Sequence, residues 1–226
     1  MHKYFYMLTN TEENYLKAVW KLSFGKRDAV NTNALAKHLG TTAASVTDML
    51  KRLCDKQYIS YERYKGAKLT VLGRQSAVGL VRRHRLWEVF LVQKLGFGWD
   101  EVHDIAEELE HIQSEKLIRL LADFLGNPSV DPHGDPIPDE NGVFLDTHFV
   151  LLSTLTPLEK SSITGVDEHS SAFLQYLAAQ NLLIGREIQV LETYSYDNSM
   201  KILIVASQQE VVISQKVAQN LLVSRF

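Results

Sequence analysis

Six side chains between residues 84 and 111 are of the types that bind divalent cations. His84 and Glu88 stand one helical turn apart, so any helix that carries both presents them on one face. His103, Glu107, Glu110 and His111 follow. At about 100° per residue, with His103 at about 0°, the other three fall at about 40°, −20° and 80°, roughly a third of a helix circumference. Two helices that each turn carboxylate and imidazole to one side can surround a metal ion. The set contains no thiolate, since the chain's single cysteine, Cys54, lies elsewhere. Oxygen and imidazole donors without sulfur suit Mn(II) and Fe(II), with Zn(II) and Co(II) as substitutes.

Those donors need long helices to carry them, and the pattern supplies two. One helix is expected from Ser76 to about Leu95, followed by a turn at Gly96-Phe97-Gly98. A second is expected from Asp100 to about Leu125. Four of the five prolines then fall between Asn127 and Pro138. Proline lacks a backbone donor and disfavours helix in the residue before it, so this stretch reads as a loop or linker.

Upstream, the chain reads as a different module. Thr11 is expected to cap a helix with Tyr15, Leu16, Val19, Trp20 and Leu22 on its apolar face. A second helix, from Thr32 to Leu39, is stopped by Gly40, and a third follows Thr41 or Thr42 with Val46, Met49, Leu50 and Leu53 inward. Two strands, Tyr58 to Arg63 and Ala67 to Val71, then flank Lys65-Gly66 as a hairpin with a basic tip. Helix, turn, helix and hairpin in this order make a winged helix-turn-helix. Its third helix would enter the major groove of DNA, offering Thr42, Ala44, Ser45, Thr47 and Asp48, while Arg63, Lys65 and Lys68 of the wing meet phosphates. Cys54 lies beside the apolar stripe and reads as core rather than as a reactive thiol.

The charge balance agrees with that division. Of the 226 residues, 1–75 hold 13 Lys and Arg against 6 Asp and Glu, whereas 76–226 hold 11 against 21. Six of the eight histidines also lie in the acidic part. The overall net charge of −3 therefore conceals a basic domain suited to a polyanion and an acidic remainder suited to cations. The chain exceeds the usual size of one domain, and its 45% hydrophobic content provides for a packed core. No apolar run reaches the ~20 residues that span a bilayer, and no secretion signal is visible. With one cysteine, an intramolecular disulfide framework is excluded and a cytoplasmic setting is expected.

Several motifs occur together and in order. They are Asn14-Tyr15-Leu16, the winged helix, Arg83-His84-Arg85-Leu86-Trp87-Glu88, Val102-His103-Asp104, Glu107-Glu108-Leu109-Glu110-His111, and Asp131-Pro132-His133-Gly134-Asp135-Pro136-Ile137-Pro138. The combination resembles the DtxR/MntR family of metal-dependent transcriptional regulators over nearly the whole chain. The resemblance implies a mainly α protein with a small β part. A winged helix-turn-helix would occupy residues 1–75 and a helical metal-binding and dimerisation domain residues 76–146, with a Pro-rich linker at 127–142. A FeoA-like, SH3-like small β-barrel would occupy 147–226. The tail fits this, with a short helix from Ala172 to Ala179 and alternating strands near Met200–Val205, Glu210–Ile213 and Leu221.

The resemblance also distributes the ligands. A regulatory site would use Asn14 with Glu107, Glu110 and His111. A second would use His84, Glu88 and His103, joined by Asp131, His133 and the region of Asp167, Glu168 or His169. DNA contacts would map onto Thr32, Asn33, Thr42, Ala44, Ser45, Thr47 and Arg52. Glu107 stands where iron-responding members have cysteine, Asn14 where manganese-responding members have aspartate, and Lys17 where some of the latter have a further acidic ligand. The implied protein is a non-enzymatic, homodimeric repressor of metal-uptake genes that binds a double-stranded operator when Mn(II) or Fe(II) is bound, without a membrane partner. Two alternatives fit part of the pattern. One is a winged-helix regulator of a non-metal signal. The other is a carboxylate-bridged metal enzyme, for which Glu108-x-x-His111 supplies half of a di-iron motif.

Overall fold

A computed structural model describes residues 8–23, 29–145 and 148–226. The chain divides into two compact units. The first comprises residues 1–84, 108–114 and 138–143, and the second 85–107, 115–137 and 144–226.

The first unit opens with α1 (Asn10–Ser23), α2 (Thr32–His38) and α3 (Ala43–Asp55). The α1 cap is Thr9 rather than the expected Thr11. Glu12 N–H donates to Thr9 Oγ1 at 3.2 Å, and Thr9 N–H donates to Glu12 Oε2 at 2.9 Å. This reciprocal box satisfies two backbone donors, which a threonine two residues later cannot do. Thr42 caps α3 as expected, accepting from Ser45 N–H. Leu16, Val19, Leu35, Val46, Leu50 and Leu53 meet in a solvent-free core.

The wing is the antiparallel pair β1 (Ile59–Glu62) and β2 (Gly66–Leu69). Val30 bridges to β2 as well, exchanging two backbone hydrogen bonds with Ala67 at 2.9 and 2.8 Å. Glycine is needed at 66, where φ is +97° and a Cβ would come within 2.5 Å of the Val30 carbonyl oxygen.

Helix α4 (Val71–Leu95) begins five residues before the expected Ser76. Thr70 makes the difference. Its hydroxyl donates to the Tyr58 carbonyl and accepts from Gly73 N–H, so the base of the wing starts the helix.

The expected helix from Asp100 to Leu125 is two helices, α5 (Val102–Leu109) and α6 (Glu115–Phe124). The break falls where polar groups leave the helical ladder. The Glu110 carbonyl accepts from Arg83 Nε at 2.5 Å, and Gln113 Nε2 donates to Glu13 Oε1 at 3.2 Å. The projected arc therefore holds for His103 and Glu107 but not for Glu110 and His111, which lie in the turn after α5.

In the second unit, Leu86 and Val89 of α4 pack with Ile118, Leu121 and Ala122 of α6 and with Ile137. The proline-rich stretch is folded: Val130 and Pro136 form a bridge, and the Asp131 carboxylate accepts from His133 and Asp135 N–H at 2.8 and 3.0 Å.

The C-terminal part is the SH3-like module. It has strands β3 (Val150–Leu151), β4 (Lys160–Val166), β5 (Glu187–Thr193), β6 (Met200–Ile204), β7 (Gln209–Ile213) and β8 (Leu221–Arg225), with α7 (Ser171–Ala179) and the short α8 (Gln215–Ala218). The sheet is antiparallel throughout, in the order β3-β8-β4-β5-β6-β7. Its inward residues, including Ile163, Ile188, Val190, Ile202 and Val223, pack with Leu174 and Leu177 of α7. No helix among the described residues is long and apolar enough to cross a membrane.

Candidate metal centre and nucleic-acid interface

In the first unit the centre is Glu110, whose side chain is fully buried. Its Oε2 lies 2.6 Å from His84 Nδ1 and 2.6 Å from Lys17 Nζ. Its Oε1 is shielded from solvent and has no hydrogen-bond partner among the described residues. Asn14 Oδ1, on α1, is likewise buried and unpartnered. Two orphaned oxygens in one unit, one of them on a carboxylate, are costly to bury and are donors of the kind a hard cation takes.

Glu13 is the residue that the sequence reading missed. His111 Nδ1 donates to Glu13 Oε2 at 2.6 Å, and Arg83 Nη2 and Gln113 Nε2 donate to Oε1 at 3.0 and 3.2 Å. Because a carboxylate only accepts, this bond places the His111 proton on Nδ1 and leaves Nε2 with the lone pair. That is how a carboxylate behind a histidine prepares it to ligate a metal. Glu13 sits beside Asn14, but in the sequence it is indistinguishable from an ordinary acid in the first turn of a helix.

Lower on α1, Glu12 pairs with Lys56 at 2.6 Å. Burial works against its charged form, but Lys56 and the Thr9 N–H outweigh it and hold its pKa below the usual glutamate value.

The second unit holds another donor set. Glu88, Asp131 and His133 are all buried, and each offers a ligand atom within 4.8 Å of the others. His103 Nδ1 lies 3.4 Å from Glu88 Oε1, and Glu107 Oε1 lies 3.8 Å from His103 Nε2. His133 stacks on Trp99, shares a hydrogen bond with the Trp99 carbonyl at 2.7 Å and meets the His169 ring at a centroid distance of 5.0 Å.

Gly134 lets this loop approach β4. Its φ is +88°, and a Cβ there would come within 2.0 Å of the Thr164 carbonyl oxygen. Arg85 anchors the same loop through Asp135, at 2.9 Å, and through the Pro136 carbonyl.

Burial pushes the Asp131 pKa up, reinforced by the neighbouring Asp135 and Glu88. Burial disfavours the His133 cation, but the hydrogen bond and charge of Glu88 outweigh it and raise that pKa as well. The oxygen and imidazole donors of this set fit a hard or borderline divalent ion.

Of the other residues near the second set, Glu168 accepts from Ser170 Oγ at 2.7 Å and lies 3.6 Å from Lys216 Nζ.

The first unit also carries a concave surface of about 870 Å³ between α3 and the wing. Thr32, Asn33, Thr47 and Arg63 line it, together with Lys51 and Tyr64, which the sequence reading did not single out. Tyr64 is 90% exposed, and the Arg63 guanidinium lies 4.9 Å from its ring centroid. Thr42, Ala44, Ser45, Arg52, Lys65 and Lys68 are exposed outside that lining. Some hydroxyls are already engaged: Thr47 donates to the Ala43 carbonyl and Thr42 caps α3.

Comparison with known proteins converges on one family. Residues 7–67 match the iron dependent repressor N-terminal DNA binding domain, 70–139 the iron dependent repressor metal binding and dimerisation domain, and 150–225 the FeoA domain. The HTH-type transcriptional regulator MntR of Oceanobacillus iheyensis is 34% identical over 119 residues, 53% of this chain and 80% of that protein. The iron-dependent repressor IdeR of Mycobacterium leprae is 32% identical over 131 residues, 58% of this chain and 56% of that protein. The chain spans about half, or less, of the length of the leading curated relatives it matches. A manganese-dependent transcriptional repressor solved in complex with manganese superposes with a TM-score of 0.84 at 30% identity, over 95% of this chain and 100% of that one. The chain belongs to the DtxR/MntR family of iron- and manganese-dependent transcriptional repressors.

Proposed function

We propose that this protein is a metal-dependent DNA-binding repressor of metal-uptake genes, acting in the cytoplasm as a homodimer and responding to Mn(II) or Fe(II). One observation carries this reading. The orphaned oxygens of Asn14 and Glu110 belong to the same unit as the winged helix, and Asn14 sits on α1, which helps to build it.

Asn14, Glu110 and His111 would hold the regulatory ion, and Glu107 is assigned to the same set from the sequence motif. Glu88, His103, Asp131 and His133 would hold a second ion, with His84 assigned to that set by the motif. A bound divalent ion supplies positive charge that several donors share. With such an ion bound, Asn14 would tie the second turn of α1 to the 110–111 turn, while Glu13 keeps His111 in the ligating tautomer. Without that tie the start of α1 is held less firmly, and the winged helix spends less time in the arrangement that fits an operator. In the dimer, two α3 helices would address two half-sites, with Arg63, Lys65 and Lys68 on the flanking phosphates.

The test uses duplex DNA selected from a random pool by the Mn(II)-loaded protein. Binding to it is measured by fluorescence anisotropy at fixed salt with Mn(II), Fe(II), Co(II), Zn(II) or chelator. Tight binding only with metal, lost in Glu110→Gln and His111→Ala, is the expected result. Equal affinity with metal and with chelator would overturn the proposal.

A further inference from the structure

Lys17 and His84 approach the same oxygen of Glu110, each to 2.6 Å, at a carboxylate with no solvent exposure. A carboxylate oxygen accepts from both, so His84 carries its proton on Nδ1. The 3.4 Å separation between Lys17 Nζ and His84 Nδ1 is then a packing contact between two donors rather than a hydrogen bond. The Lys17 side chain is only 17% exposed. It lies on α1 three residues after Asn14, on the same side of the helix. A positive charge is therefore already paired with the carboxylate whose other oxygen, Oε1, has no partner among the described residues, in a unit where Asn14 Oδ1 is also buried without one.

We propose that Lys17 is a resident cation that competes with the incoming divalent metal for Glu110 and so sets the metal concentration at which this site fills. This inference rests on the metal-binding reading above. The ammonium stabilises the buried carboxylate when no metal is bound. A divalent ion must either displace the ammonium from Oε2 or bind through Oε1 beside a like charge. Both routes weaken metal binding relative to a site without the lysine. Lys17 thus exchanges affinity for a folded, charge-balanced metal-free state, which a sensor needs if it is to release its ion.

The test compares the full-length wild type with Lys17→Met, Lys17→Arg and Glu110→Gln. Mn(II) affinity is read from the electron paramagnetic resonance signal of free Mn(II), and thermal unfolding is followed in chelator. The site class lost in Glu110→Gln identifies the Glu110 centre. At that centre Lys17→Met should bind Mn(II) roughly tenfold or more tightly than the wild type. Lys17→Arg, which keeps the charge, should remain near the wild type, and Lys17→Met should unfold at a lower temperature in chelator. If Lys17→Met requires metal to fold, that too supports the counter-ion role, provided that Lys17→Arg folds without it. Equal or weaker Mn(II) affinity in a folded Lys17→Met would overturn the inference while leaving the metal-binding reading intact. No difference between wild type and Glu110→Gln would overturn both.

Discussion

Glu13 on α1 accepts a 2.6 Å hydrogen bond from His111 Nδ1, 98 residues further along the chain. The same carboxylate also takes Arg83 and Gln113, so one side chain secures the segment that follows α5 to the first helix. It does not need to touch a metal to matter. Its bond holds the His111 proton on Nδ1 and leaves Nε2 with the lone pair.

Glu13→Gln should weaken Mn(II) binding at the Glu110 centre by about 10–100-fold, the usual effect of removing a carboxylate behind a ligating histidine. Isothermal titration calorimetry checks this. DNA binding at saturating Mn(II) should largely recover, because the groups proposed to contact DNA are unchanged. A variant whose Mn(II) affinity matches the wild type would show that Glu13 is only a structural clamp.

The wing makes a prediction about salt. Lys65 is exposed and pairs with Glu62 at its own hairpin, and Lys68 is exposed on β2. Replacing either with Ala should weaken binding to all duplexes alike and lower the salt slope by about one counterion. Anisotropy titrations at several salt concentrations, on selected and scrambled duplexes, distinguish the outcomes. A loss confined to the selected duplex would assign the lysine to base readout instead.

The α1 cap makes the winged helix sensitive to acid. Glu12 has its pKa depressed in the folded protein. Its contribution is therefore complete above the ordinary value of 4.5 and is lost as pH falls through that value and below it. Thr9→Ala, which removes one half of the capping box, should cost about 1 kcal/mol at neutral pH. Glu12→Gln should lose stability at neutral pH and show a flatter stability profile between roughly pH 5 and pH 3. Denaturant melts of the metal-free protein across that range read both effects. An unchanged acid limb in Glu12→Gln would assign the pH dependence to other carboxylates.

The architecture was legible because it is written in local, short-range signals. Apolar spacing and caps place α2 and α3, Lys65-Gly66 marks the wing tip, and alternating apolar residues mark β6 and β7. The candidate donors were legible for a related reason. Acids and histidines at helical spacing are uncommon enough to stand out, and His84, Glu88, His103, Glu110, Asp131 and His133 all entered clusters of donors.

What the sequence could not contain is the partnership of each group. The helix expected to run through Glu110 and His111 ends at Leu109, because the bonds of Arg83 and Gln113 to distant groups outcompete one more helical turn. Glu13 reads as a helix-start acid and becomes the orienting base of His111. Lys17 reads only as a lysine where some manganese-responding members have an acidic ligand, and becomes the counter-ion of a buried carboxylate. In each case the residue's type and position on its own helix were determined locally. Its role depended on which groups, about 70 to 100 residues away, the fold brought within hydrogen-bonding distance. The sequence by itself determined the module order and the kinds of donor. Only the tertiary structure decided which oxygens stay unpartnered and which cation already stands beside them, because burial and pairing are properties of the packed state.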